Sequence, residues 1–490
     1  MSPTTIPELL QEIATHLDNP VDLSRFSQCD RFIHGAVAPL LFQDINAASR
    51  SLPKLAKRFS ENPEFAQQCR SLVIHGPQLG TDRLIDQPDV INGYDVDSMP
   101  SPEALSQSVT SIVREISQHG RLERFSWHTF TSRRYGRKTF LIEAGLWTAL
   151  SSTGVHLHEL DLTIGKPDRD GIALLITASN FCNLKIFRLR VLEAFISPHF
   201  QTFLDRLNLL EHLDLDVSPD IRTLIPGSLT FASTHTHLRF LTLTLLPLGL
   251  PPDLDFLARH PRIESLKLVS DQSFHCDDSS LPNLKALCVN ESTVVGCPAI
   301  VSTTARRNIK HLCLIEMPLF DMRMIPDIVQ GMASSLTCLE IDFVPIGDFR
   351  YWIRDFSRLL SLAPNLLEFG MIASPSIVPL EPTFNAKDLT DVLAVLDEAT
   401  HLQALRFFDI SKSGSALPES FLANLGSVPA SLRYIKWDVH PDPKIYCLET
   451  VDQCTMAVAM ARPPVVKDKV DWTSESVLDH LSWFINARVY

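Results

Sequence analysis

The charged residues of this sequence fall at alternate positions in short apolar stretches. Glu159 and Asp161, Arg188 and Arg190, and then His212, Asp214 and Asp216 each stand two residues apart, separated by leucine in most cases. Alternation of this kind sends the charged side chains to one face of a strand. A face of mixed charge recognises a protein segment by complementarity, with no bond made or broken. Bond-breaking chemistry asks for other constellations. The sequence has no glycine-rich phosphate loop, no Gly-x-Ser-x-Gly turn, no His-Glu-x-x-His helix and no paired-cysteine zinc spacing. His156 with His158, and His235 with His237, lie two apart at strand starts or in loops and lack acidic or cysteine partners for a metal. Cys288 and Cys313 occupy equivalent places in neighbouring stretches, where their thiols can approach one another, and packing explains them better than catalysis. The expectation is a non-enzymatic binding protein with no cofactor and no metal.

The elements that position these residues repeat. In Leu210-Glu211-His212-Leu213-Asp214-Leu215 the order is apolar-x-x-apolar-x-apolar. The same frame fits 157–162, 184–189, 238–243, 263–268, 284–289, 309–314, 336–341, 366–371, 402–407 and 432–437, with weaker copies at 69–74 and 122–127. Recurrence every 20–35 residues or so marks a leucine-rich solenoid, an α/β fold in which each unit gives one strand and a returning helix or loop. First, fourth and sixth positions then point into the core, while third, fifth and seventh positions line a concave parallel sheet. Helices and loops make an irregular convex side, with helix candidates at 104–119, 140–150, 171–180, 198–207, 253–259, 322–333, 349–362, 387–400 and 418–425. Ninth positions read Gly165, Leu192, Ser218, Leu246, Asp271 and Ser292, so no asparagine ladder ties the turns and an uneven arc is expected.

Residues 6–45 follow a different rhythm. Leu9 or Leu10, Ile13 and Leu17 fit one helix, stopped by Asp18-Asn19-Pro20; a second runs over 23–29 with Asp22 as its cap, and a third continues from Asp30 to Leu41. Three short helices barely bury a core, which leaves an apolar face for a partner. The run Pro7-Glu8-Leu9-Leu10, Ile13, Leu17-Asp18, Asp22-Leu23, Cys29-Asp30-Arg31-Phe32 and Leu40-Leu41-Phe42 resembles the F-box, although Ile6 stands where leucine is usual and Asp30 separates Cys29 from Arg31. Joined to the repeats, the chain looks like a fungal-type F-box/leucine-rich-repeat protein. The resemblance implies that Pro7, Leu9, Leu10, Ile13, Leu17 and Leu23 dock a Skp-type adaptor and, through it, a cullin. The chain would then be the substrate-recognition subunit of an SCF-type ubiquitin ligase. Its concave face, with Glu159, Asp161, Arg188, Arg190, His212, Asp214 and Asp216, would hold an unknown target protein. The alternative is a leucine-rich scaffold with no ligase role.

The domain organisation expected is an F-box-like helical domain over 1–48, a helical linker and cap over 49–68, and a solenoid over 69–440 with a surface loop at 76–102. A C-terminal cap over 441–490 would include a helix at 474–488. Composition agrees: 490 residues exceed one ordinary core, and 45% hydrophobic with 21% charged residues describes a folded protein. A net charge of −13 argues against a nucleic-acid partner. The ten cysteines, scattered without C-x-x-C, suit free thiols in a reducing compartment. Without a basic and apolar leader or a long apolar run, the expectation is cytoplasmic or nuclear residence and no membrane.

Overall fold

The computed structural model describes residues 9–10, 12–14, 16, 20–75, 102–128, 144–164, 180–191, 198–217, 233–245, 256–270, 276–301, 307–317, 324–343, 358–373, 384–396, 401–409, 415–425, 428–439, 444–451 and 454–459. They fall into two compact units, the first ending at Leu238 and the second starting at Arg239 in the repeat region. Both are α/β, built on a parallel sheet whose strands neighbour one another in chain order.

In the first unit, residues 9–10 and 12–14 are helical, and helices Pro20–Ser27 and Arg31–Leu41 follow. Pro20 opens its helix, because its fixed φ and missing N–H suit a first turn. Asp30 caps the next, its carboxylate accepting from the Phe32 N–H at 2.6 Å. The strands are β1 (Asp44–Ala48), β2 (Ser71–His75), β3 (Arg124–His128), β4 (Glu159–Ile164), β5 (Ile186–Val191) and β6 (His212–Val217). Strand β1 lies in the stretch read as purely helical. It pairs in parallel with β2, Asp44 opposite Ser71, and escapes a frame search because Ala47 is its only buried residue. The linker expected to be helical over 49–68 holds two helices, Leu52–Glu61 and Pro63–Gln68, because Pro63 has no N–H to continue the first. Helix Pro102–His119 buries Leu105, Val109, Ile112, Val113 and Ile116. Helices Ala144–Thr153 and Pro198–Leu204 also form near their expected places, whereas 76–101 of the loop expected at 76–102 and 171–179 of the candidate helix at 171–180 lie outside the described residues.

In the second unit, β7 (Phe240–Leu245), β8 (Ser265–Ser270), β9 (Ala286–Asn290), β10 (His311–Met317), β11 (Cys338–Phe343), β12 (Glu368–Ala373), β13 (Ala404–Asp409) and β14 (Tyr434–Asp438) run parallel. Helices Met324–Met332, Ala386–Val395 and Glu419–Leu422 return between them. Residues 256–259 form turns rather than a helix, with Pro261 close behind. The sheet does not end at β14: β15 (Lys444–Val451) and β16 (Cys454–Ala459) add antiparallel strands where only a cap was expected. Neither strand carries leucine at the three frame positions: β15 buries Tyr446, and β16 reads Cys-Thr-Met-Ala-Val-Ala. Residues 474–488 lie outside the described part.

First, fourth and sixth frame positions fill the cores. Leu210, Leu213 and Leu215 are each 0% exposed. The turns are tied by two devices. A carbonyl at the second frame position accepts two N–H groups from the following unit: Lys285 O takes Lys310 N at 2.8 Å and His311 N at 3.1 Å, and Lys310 O takes Thr337 N and Cys338 N, both at 2.9 Å. Asparagine does recur, but one place before the frame. Asn183 Nδ2 donates to Val155 O at 2.6 Å, Asn283 Nδ2 to Pro261 O at 2.9 Å and Asn365 Nδ2 to Ser334 O at 2.9 Å. Each reaches the same turn carbonyl of the unit before it, so the ninth position was the wrong place to look for a ladder. Asn283→Ala is expected to cost about 0.5–1.5 kcal/mol in denaturant unfolding, the worth of one hydrogen bond.

Candidate functional site

Strand alternation places the third, fifth and seventh frame positions on one face. Parallel register about 4.8 Å apart then flanks each side chain with two others. In the first unit, Arg188 stands between Asp161 and Asp214, Arg190 between Thr163 and Asp216, and Ile186 between Glu159 and His212. The seven residues singled out in the sequence therefore do come together. Arg188 Nη1 lies 2.5 Å from Glu159 Oε1 and 3.7 Å from Asp161 Oδ2, Arg190 Nε lies 3.2 Å from Asp216 Oδ2, and Arg124 Nε reaches Glu159 Oε2 at 2.9 Å.

Their exposure differs from expectation. His212 and Asp214, read as open to a partner, are 7% and 6% exposed, and Asp161 is buried as well. Rows of opposite charge in register pack against one another, so the arginines of β5 cover Asp161 of β4 and Asp214 of β6. What remains half-buried and reachable is Glu159, Arg188, Arg190 and Asp216.

On the same face of the second unit, Val269, Ala286, Cys288, Cys313, Ile315, Ile372 and Phe408 form a buried apolar cluster. Cys288 and Cys313 sit opposite each other in register, which their equivalent frame positions anticipated. Beside this cluster lies a charge network that the sequence pattern does not single out. Arg406 on β13 reaches Glu340 on β11, Nη1 to Oε1 at 3.2 Å, across the whole width of β12. The residue in register between them is Gly370. A Cβ there would stand 2.9 Å from Glu340 Cγ, so glycine opens the lane through which the two charges meet. Gly370→Ala is expected to push Glu340 aside and cost about 1–3 kcal/mol, read from the denaturation midpoint.

Arg406 also places Nη2 at 3.5 Å from Asp438 Oδ2 and its guanidinium 5.0 Å over the Phe408 ring, while His311 Nε2 approaches Glu340 Oε2 at 3.4 Å. Burial pushes the Glu340 carboxyl up, but hydrogen bonds and charge from His311 and Arg406 outweigh it and hold it below the ordinary carboxylate value. Glu368, one strand over, feels the Arg406 charge too weakly to offset its burial. Its Oε2 is buried without a hydrogen-bond partner, and burial together with the Glu340 charge pushes its carboxyl up to about 8. A protonated and an ionised carboxyl side by side have the form of an acid–base pair. Both are nearly closed to solvent, Glu340 at 2% and Glu368 at 9%, and Glu340 ties β11 to β13 through Arg406. Register, not composition, is the signal that would have found them.

The histidine pairs do not converge. His235 is buried with Nδ1 3.2 Å from Leu207 O, burial holding its pKa below the usual value, whereas His237 is exposed; His156 is partly buried and His158 exposed.

A second surface lies at the N-terminal helices. Leu9, Ile13 and Phe32 are 59%, 43% and 52% exposed, and Leu10 and Leu23 are partly exposed. Pro7 and Leu17 lie outside the described residues. Among the described residues, no helix is long and apolar enough to cross a membrane. In comparison with known proteins, the chain matches no family model and no curated protein.

Proposed function

We propose that the chain is a non-catalytic substrate receptor: its N-terminal helices dock a Skp-type adaptor of a cullin–RING ubiquitin ligase, and its repeat face holds a target protein. The observation that carries the reading is the exposure of Leu9, Ile13 and Phe32 within the run of residues that resembles an F-box. Large apolar side chains left in water within so short a stretch mark a surface meant to be covered. The reachable charges Glu159, Arg188, Arg190 and Asp216 suit a target segment of alternating charge, which the paired acids and arginines would orient more than bind. Such a receptor accelerates transfer by raising local concentration, so it needs no reacting group of its own.

The test is retention of partners by the tagged full chain in cells. Adaptor and cullin co-purify with the wild type. Leu9→Asp with Ile13→Asp loses both while proximity-labelled target proteins remain. If adaptor and cullin are retained equally by both chains, or by neither, the ligase reading is wrong; the second result favours the scaffold.

A further inference from the structure

The repeat face of the second unit is buried where a concave sheet ordinarily meets water. Val269, Ile315, Ile372 and Phe408 hold seventh frame positions, and Cys288 and Cys313 hold fifth ones, so strand alternation turns all six away from the leucine core. Phe408 is nonetheless 0% exposed and Ile372 1%, and the other four are buried as well. A phenylalanine ring disappears from a sheet face only beneath a second layer. The cluster, completed by Ala286, is drawn from β8, β9, β10, β12 and β13 alone, and no described helix contributes a residue to it.

A second apolar surface in the same chain has no assigned place. Val477, Leu478, Leu481, Phe484 and Ile485 recur at helical spacing between Ser474 and Arg488 and make one apolar stripe, with Trp483 at its margin. A cap belongs beyond β14, but β15 and β16 already stand there. The stripe therefore needs another face to cover it.

We propose that residues 474–488, which lie outside the described residues, dock as a helix across β8–β13 and cover the apolar cluster of the second unit. The dimensions agree. A helix over 474–488 is about 22 Å long, and the five strand spacings from β8 to β13 measure about 24 Å. The sheet ends at Ala459, and residues 460–473 reach up to about 46 Å from it, against about 14 Å to β13 and about 38 Å to β8. Pro463 and Pro464 hold the start of that connection extended. Tethering also favours this occupant over a separate molecule, because the chain's own segment is present at an effective concentration on the order of millimolar. While docked, it withholds the second unit's face from a target and leaves the charged face of the first unit open. This goes beyond the receptor reading and does not depend on it.

Cys288 and Cys313 are built-in reporters of the cover. N-ethylmaleimide labels the native, reduced full chain, and its peptides are mapped by mass spectrometry. In the wild type the two thiols react far more slowly than the exposed Cys29 and Cys182. In Leu481→Asp with Phe484→Asp both are expected to react faster, on the order of 10-fold or more, while buried Cys297 of the same unit stays protected and reports an intact fold. Leu481→Cys, which stays apolar, decides the matter if that variant fails to fold: a short bismaleimide is expected to join position 481 to Cys288 or Cys313 within one chain. Equal labelling of the two thiols in the wild type and the folded variant overturns the proposal. So does a position 481 that links to neither thiol, or links to them only between chains.

Discussion

Arg406→Met is expected to destabilise the protein by about 3–5 kcal/mol in urea or guanidinium unfolding, the range for removing one member of a buried ion pair. Arg406 is 3% exposed and is shared by Glu340 and Asp438. Methionine fills the space over the Phe408 ring but leaves two buried carboxylates with less compensating charge. Glu340 meets the change by taking a proton, at the cost of its contact with His311. Adding Glu340→Gln to the same chain removes the orphaned charge and is expected to restore more than half of the loss, a coupling that a double-mutant cycle reads directly. A loss under about 1 kcal/mol, or no recovery in the double variant, would show that the network lies in higher dielectric than its burial implies.

The second large effect is one of pH. Glu368 holds its proton up to about 8, against an ordinary value of 4.5. Between those values the native chain binds one proton that the unfolded chain has released. Stability is therefore fully present below 4.5 and is lost as pH rises through about 8, at up to about 1.4 kcal/mol per pH unit. Glu340 has the opposite sign: its carboxyl is held low, so its contribution is present above 4.5 and is lost as pH falls below that value. Glu368→Gln keeps the shape and removes the titration. The variant is expected to match the wild type near pH 5 and to exceed it by several kcal/mol at pH 9, measured by denaturant unfolding at both pH values. An equal difference at both would mean that Glu368 is ionised throughout.

Much of the repeat sheet is legible in the sequence because leucine at three fixed places is a steric requirement of the core. Leu210, Leu213 and Leu215 show this, as does the parallel register that follows from them. Elements that owe their form to something else are not legible. β1 has one buried residue, and β15 and β16 lack leucine at the three spaced positions, so none of them carries the frame. The tie between turns was sought at the ninth position, while Asn183, Asn283 and Asn365 supply it before the frame, where the chain turns into its strand. The charge network depends on which residues face each other two strands apart. Glu340, Gly370 and Arg406 look unrelated until register sets them in one row, and Arg307 meets Cys276 only through the return between strands. The burial of His212 and Asp214 likewise follows from neighbours that the frame does not specify.

In the proposed function, the N-terminal apolar surface is a docking site. The most direct measurement is a calorimetric titration of the purified full chain with purified Skp-type adaptor, wild type against Leu9→Asp with Ile13→Asp. Saturable binding at one adaptor per chain, weakened about 30-fold or more in the variant with unfolding midpoints unchanged, is the result predicted, since two apolar anchors are each worth more than about 1 kcal/mol. No binding by the wild type, or equal affinity in both chains, would contradict it.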